Sequence, residues 1–262
     1  MRPHRLARSA GAATAGAVLL VPLAGCDLLA ESRLDFSHTE DARITGITIN
    51  PGSGDVVIRT GTAPGVEINR VVRYRGAEPG ATYRIDGTEL IIDVDCGRRC
   101  GVSYDLVVPP GLSVRGENGS GDVLLAGVAD VNVKVGSGSI EITDATGAVT
   151  AETGSGDITV SDARAAVTAR AGSGSITGHG LGGGEVRAET GSGDITLALT
   201  SAASVRARAD SGDVELLVPA GDFRVRVETG SGDQRLGVSD VPAATALLDL
   251  RTGSGNVTVD RI

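Results

Sequence analysis

The chain has 262 residues, 33 acidic against 24 basic, for a formal net charge of −9. An acidic chain of this kind disfavours nucleic acid and anionic lipid surfaces as partners. It has no tryptophan, and beyond residue 25 only Phe36, Tyr74, Tyr83, Tyr104 and Phe223 are aromatic, so no aromatic platform for sugars is visible.

Residues 1–25 read as an address rather than as part of a fold. Arg2, Arg5 and Arg8 form a basic start, Gly11 to Leu23 is small and apolar, and Leu23-Ala24-Gly25-Cys26 follows. The segment looks like a bacterial lipoprotein signal, cut before Cys26, which then carries the lipid (palmitate). The alternatives are an ordinary secretory signal with an incidental cysteine, or a membrane span, for which the apolar run falls short of ~18 residues. Cleavage removes three arginines of the 24 basic residues and none of the 33 acidic ones, leaving a formal charge of −12. The expected place is the extracytoplasmic face of the cell membrane, held by the lipid. Residues 26–43 are polar and mixed and read as a tether.

Residues 44–113 are expected to form an irregular N-terminal β cap. Ile47 and Ile49, Pro51-Gly52-Ser53-Gly54-Asp55, then Val56 and Ile58 make one repeat-like unit. Strands are expected over 66–74, 82–85, 89–94 and 103–108, with Asp86-Gly87 as a tight turn. Cys96 and Cys100, in C-G-R-R-C, read as a small disulfide loop in an exported protein. Zinc is the rival, but it needs four ligands and the only histidines available, His38 and His179, lie far off in sequence.

Residues 114–262 are repetitive. Gly-Ser-Gly, or Asp-Ser-Gly at Asp210, starts at 119, 136, 154, 172, 191, 210, 230 and 253, so most units span 17 to 20 residues. Five and three residues before each start stand apolar residues such as Val149 and Ala151, with Gly116 as the exception. Four and six residues after it stand pairs such as Ile158 and Val160, broken at Gly178 and Gln234. That period-two alternation means two half-buried strands per unit, joined at the glycine bend. Glycine suits φ > 0 or close approach there, and the Ser and Asp side chains are expected to cap N–H groups of the same bend.

Stacked parallel rungs and an antiparallel meander both fit two strands per unit. Two residues before each start stand Glu117, Lys134, Glu152, Arg170, Glu189, Arg208, Glu228 and Arg251, alternating in sign throughout. Only neighbouring rungs, about 4.8 Å apart, give that alternation a cause. The expected fold is all-β, a parallel β-solenoid with rungs of about 18–20 residues and consecutive units adjacent. Val108-Pro109-Pro110-Gly111 and Val218-Pro219-Ala220-Gly221 read as strand ends at corners. The final edge is expected to be either exposed or covered by a partner.

The repeated G-S-G-D-[IV]-x-[VLI] units, the V-P-x-G lead-ins and the irregular β segment before them resemble the bacterial β-strand-repeat family catalogued under the name putative adhesin, a domain of unknown function. The resemblance covers roughly residues 44–262. It implies an envelope-associated protein without established catalysis.

The residues offer three chemistries. Asp122, Asp157, Asp194, Asp213 and Asp233 form a carboxylate ladder, and the pairs 194/213 and 213/233 are expected about 5 Å apart, near the spacing of a retaining glycosidase. Ser139, Ser175 and Asn256 take the same position elsewhere, which fits turn capping better. Calcium could bridge such a ladder, although the spacing departs from nine-residue calcium repeats. His179 has no visible partner for serine chemistry. The leading functional reading is a non-catalytic, lipid-anchored adhesin or envelope-interaction protein without a required cofactor, whose partners are the membrane and a cell-envelope polymer or surface protein. A regulatory accessory of envelope stress that holds a membrane partner is the alternative, and a glycan-acting β-helix enzyme is the third reading.

Overall fold

The computed structural model describes residues 31–262, and the described residues contain strands and turns but no helix. Residues 1–25, Cys26 and the start of the expected tether lie outside them. The N-terminal strands are β1 (Ser32–Glu40), β2 (Gly46–Asn50), β3 (Val56–Thr60), β4 (Val66–Tyr74), β5 (Tyr83–Asp86), β6 (Glu89–Asp93) and β7 (Cys100–Val108). The regular region follows with β8 (Ser113–Ser120), β9 (Val123–Ala126), β10 (Val131–Ser137), β11 (Ile140–Thr143), β12 (Val149–Ser155), β13 (Ile158–Ser161), β14 (Val167–Ser173) and β15 (Ile176–Leu181). It continues with β16 (Val186–Ser192), β17 (Ile195–Leu199), β18 (Val205–Ser211), β19 (Val214–Val218), β20 (Phe223–Ser231), β21 (Gln234–Leu236), β22 (Ala246–Ser254) and β23 (Val257–Arg261).

Each regular unit gives one strand to each of two long sheets. One has 12 strands in the order β1-β4-β7-β3-β9-β11-β13-β15-β17-β19-β23-β21, the other 11 in the order β20-β22-β18-β16-β14-β12-β10-β8-β2-β6-β5. All pairs are parallel except β1/β4, β4/β7 and β5/β6. The protein is a parallel β-solenoid whose rungs stack in register, Val131 on Val149 on Val167 on Val186 on Val205. Inward Val, Ile, Leu and Ala of both sheets are buried in one continuous core. Val108 and Val218 each end a strand ahead of their proline.

The departures at Gly178 and Gly116 have separate explanations. At Gly178 the register against β17 slips, and Leu181 pairs with Leu199 instead. A Cβ on Gly178 would stand 2.7 Å from Leu181 Cδ1, so the leucine fills the space that the glycine leaves. Gly116 sits where β8 passes β2: φ is +131° and a Cβ would meet Ile49 O at 2.1 Å.

Three expectations are corrected. First, residues 32–40 are not tether but the edge strand β1, paired along its whole length with β4. Its side chains are mostly exposed, so backbone pairing rather than an apolar pattern fixes it, and composition alone suggested a linker. Second, the parallel stack does not begin at residue 114, because β2, β3, β6 and β7 are already rungs and only β1, β4 and β5 pair antiparallel throughout. Third, consecutive units are not adjacent at the C-terminal end. β22 and β23 insert between β18/β19 and β20/β21. The inner place goes to the rung with a complete apolar set, Leu248, Leu250, Val257 and Val259, all fully buried. The rung carrying Gln234 is left at the edge, where Leu236 is 43% exposed.

Candidate functional site

Each regular rung turns between sheets at its Gly-Ser-Gly bend, Asp-Ser-Gly at Asp210, and the bends stack into one column. At the representative pair, a Cβ on Gly154 would meet Gly136 O at 2.5 Å, and one on Gly156, whose φ is +133°, would meet Gly138 O at 2.3 Å. The backbones of this pair approach closely at both positions, although Asp210 takes the first position in one rung. The acidic ladder runs beside this column and is used on the backbone. Asp122 Oδ1 accepts the Ser139 N–H at 2.8 Å, Asp157 Oδ1 that of Ser175 at 2.8 Å, and Asp194 Oδ1 that of Asp213 at 2.8 Å. Asp213 Oδ1 accepts the Asn256 N–H at 2.7 Å, and Asn256 Oδ1 that of Asp233 at 2.9 Å. Capping thus reaches the neighbouring rung, not the same bend as expected. The ladder also follows the leapfrog: Asp194 and Asp213 are neighbours, while Asn256 separates Asp213 from Asp233.

A second column lies one residue before each bend and was not read from the sequence. The buried Thr153, Thr190 and Thr252 donate through Oγ1 to the carbonyls of Gly138, Gly174 and Gly212, at 2.9, 2.8 and 2.8 Å. Asn118 Nδ2 does the same to Gly54 O at 2.9 Å. Thr before four of the eight bends, at 153, 190, 229 and 252, was the available signal, diluted because Asn118, Val135, Ala171 and Ala209 occupy the position in the others. The opposite corner has its own column, with Asp144 and Asp162 both left-handed at φ 56°. His179 pairs in register with Ser161. Among the described residues no three His, Cys, Asp or Glu side chains gather to hold a metal.

On the outer face of the 11-stranded sheet the charged row lines a shallow groove of about 450 Å³ that includes Lys134, Glu152, Arg170, Glu189 and Arg208. Arg170 bridges Glu152 and Glu189, each at 3.3 Å. The leapfrog interrupts the alternation, because Arg208 stands opposite Arg251. Each of these arginines has its own carboxylate: Asp210 at 3.3 Å for Arg208, and Asp249 at 3.0 Å with Glu228 at 3.4 Å for Arg251.

At the capped end Cys96 and Cys100 are joined by a disulfide with Cα atoms 5.2 Å apart. Arg70 stacks over Phe36 at 4.3 Å and Tyr83 at 5.3 Å, and Tyr83 donates to Glu40 at 3.0 Å. Tyr104 is buried and donates its hydroxyl to the Thr82 carbonyl. Burial pushes its phenol up to about 12. These contacts hold β1, β4 and the segment around Thr82 together as an end plate.

A parallel two-sheet solenoid with an antiparallel end plate, and polar side chains committed to its own bends, is a repeat scaffold that displays uniform outer faces. The chain belongs to the Toastrack DUF4097 family, whose sequence profile matches residues 35–260. A crystal structure from Bacteroides fragilis NCTC 9343, described as a putative adhesin, is similar at 15% identity, with a TM-score of 0.53 and coverage of 88% of this chain and 98% of the other. A putative adhesin from Parabacteroides merdae ATCC 43184 aligns at 11% identity and TM-score 0.36, over 88% and 96% of the two chains. A putative cell adhesion protein from Clostridium sporogenes ATCC 15579 aligns at 10% and 0.29, over 88% and 100%. The first of these shares the fold. No curated protein matches the sequence.

Proposed function

We propose that the chain is a non-catalytic adhesin or envelope-interaction protein, lipid-anchored through Cys26 on the extracytoplasmic face of the cell membrane. The supporting observation is that four of the five ladder carboxylates, Asp122, Asp157, Asp194 and Asp213, are spent on neighbouring backbone N–H groups, while the outward charges repeat along one sheet. A surface of repeated charge pairs suits an extended polymer or another protein surface and lacks the singular, differently tuned pair of groups that catalysis uses. The adhesin descriptions carried by its structural neighbours agree with this reading.

The test uses fluorescently labelled residues 27–262 with isolated cell walls and membranes, in calcium and in chelator. Saturable binding to walls supports the envelope-interaction role, and calcium dependence of that binding would make the Asp ladder a metal site. Absence of binding to either moves the function to the regulatory accessory reading. Cleavage of wall glycans that disappears in Asp194→Asn with Asp213→Asn, with folding intact, would make the protein an enzyme.

A further inference from the structure

The chain is acidic as a whole, yet one corner of the capped end, beside the first described residue, gathers arginines. Glu31, the first described residue, lies 3.7 Å from Arg75. A cleft of about 670 Å³ beside it is lined by Arg73, Arg75 and Arg99, with Glu31 and Asp95 as its acids. Arg98 and Arg99 project from the loop closed by the Cys96–Cys100 disulfide, and both are exposed. Arg99 has φ 58°, a conformation that a non-glycine residue holds at a cost. Arg33 stands directly opposite Arg73 across β1/β4, a like-charge pairing that disfavours a sheet edge. Arg33 is answered by Asp35 at 2.7 Å, whereas Arg73, Arg98 and Arg99 have no ion pair among the described residues.

Two arguments identify what meets this cluster. The first is reach: Cys26 is five residues from Glu31, and five residues span at most about 18 Å. A lipid on Cys26 would therefore keep Glu31, and the arginines beside it, within reach of the headgroup layer. The second is screening. At physiological ionic strength only charges within about 8 Å of a surface act on it, so the local arginines outweigh the acidic remainder of the rod.

We propose that Arg73, Arg75, Arg98 and Arg99, with Arg33 at their edge, form a docking surface for anionic phospholipid headgroups that seats the capped end of the solenoid on the bilayer. The proposal rests on the reading of Cys26 as the lipid anchor. It revises the expectation, drawn from net charge alone, that anionic lipid is disfavoured.

The test uses residues 27–262 without lipid; every described strand pairs within residues 31–262, so this piece carries the whole fold. Co-flotation is measured with vesicles of phosphatidylcholine alone and with phosphatidylglycerol added. The expected result is binding to the anionic vesicles alone, weakened as salt rises towards ~1 M, and cut at least ~10-fold by Arg73→Glu with Arg98→Glu. Arg98→Gln with Arg99→Gly removes two charges and the left-handed arginine while sparing the disulfide, and should bind between the two. Unchanged binding by both variants, no binding to anionic vesicles, or full displacement by inorganic phosphate would overturn the surface. The anchor is tested separately, by labelled palmitate incorporated in cells into the full chain and lost in Cys26→Ser. Absence of label strikes the anchor reading and leaves the vesicles to decide the surface, whereas label without vesicle binding overturns the surface.

Discussion

Asp157 Oδ1 receives the Ser175 N–H at 2.8 Å, and one rung further on Ser175 Oγ receives the Asp194 N–H at 3.3 Å. A carboxylate and a hydroxyl thus perform the same task in consecutive rungs, and Asn256 performs it again between Asp213 and Asp233. The position accepts through an oxygen on a short side chain in most rungs, and a negative charge there is optional. The choice matters for function, because a catalytic or calcium-binding ladder would need the charge. Asp157→Asn keeps the acceptor and is expected to leave stability within about 0.5 kcal/mol, as for an ordinary surface change. Asp157→Ala leaves the Ser175 N–H without its cap and is expected to cost about 1 kcal/mol, or about 2–4 °C in Tm for a chain of this size. Thermal unfolding of the two variants decides the matter: equal losses for Asn and Ala would mean that charge holds the bend and that the capping account is wrong.

Strands on one sheet meet their neighbours through rows, and the outward row from Lys134 to Arg208 is where charge bears on stacking. Lys134 faces Glu152, Glu152 faces Arg170, Arg170 faces Glu189 and Glu189 faces Arg208. Changing Glu152 and Glu189 together to Arg converts all four contacts to like charge. Each contact is worth a few tenths of a kcal/mol to about 1, so the pair of changes is expected to lower Tm by several degrees, with most of the loss recovered near 1 M salt. A loss that salt does not touch would assign it to packing rather than to charge. This row also marks how far the sequence could be read. Alternation in sign and in apolarity gave parallel rungs, their period, the inward residues and the bend, because all of these are local or nearest-neighbour properties. It could not give the order of the last two rungs, since Arg251 next to Arg208 breaks the very rule that suggested order. Nor did it show β1, whose place comes from nine backbone pairings and little side-chain burial, or the threonine column, which only half the rungs carry. The acidic ladder was visible as a set of residues, but whether its carboxylates faced one another or the next backbone depended on distances that only the folded chain supplies.

For the molecule as a whole, the first and the last parallel rungs share one topological device. At the start, β2 and β3 lie inside β6 and β7, and at the finish, β22 and β23 lie inside β20 and β21. In both cases the rung nearest the chain terminus is covered by one that comes from further along or further back. A solenoid frays from its edges, because each rung is held by its two neighbours and an edge rung has one. At the C-terminal end this places the last rung second from the edge, which pins it on both sides and transfers the fraying to β20 and β21, a segment tethered at both of its own ends. At the start, by contrast, the edges are β1 and β5. The loop after β21 adds to this by laying Val241 N–H on Phe223 O at 2.8 Å and Asp240 on the Val225 N–H at 2.9 Å, covering the first part of the open edge. Native-state hydrogen exchange should therefore run against chain position. Amides of residues 246–261 are expected to be protected like those of β16 to β19, although they lie at the C-terminus. Those of 226–236, away from the Asp240 contact, are expected to exchange earliest in the stack. Were the final residues to exchange first and 226–236 to be protected, units would stack in sequence order, Arg208 would face Glu228, and the unbroken alternation would be restored. The exchange pattern therefore tests the leapfrog and the interruption of the charged row in one measurement, because both follow from the same exchange of places between the Gln234 rung and the rung of Leu248, Leu250, Val257 and Val259.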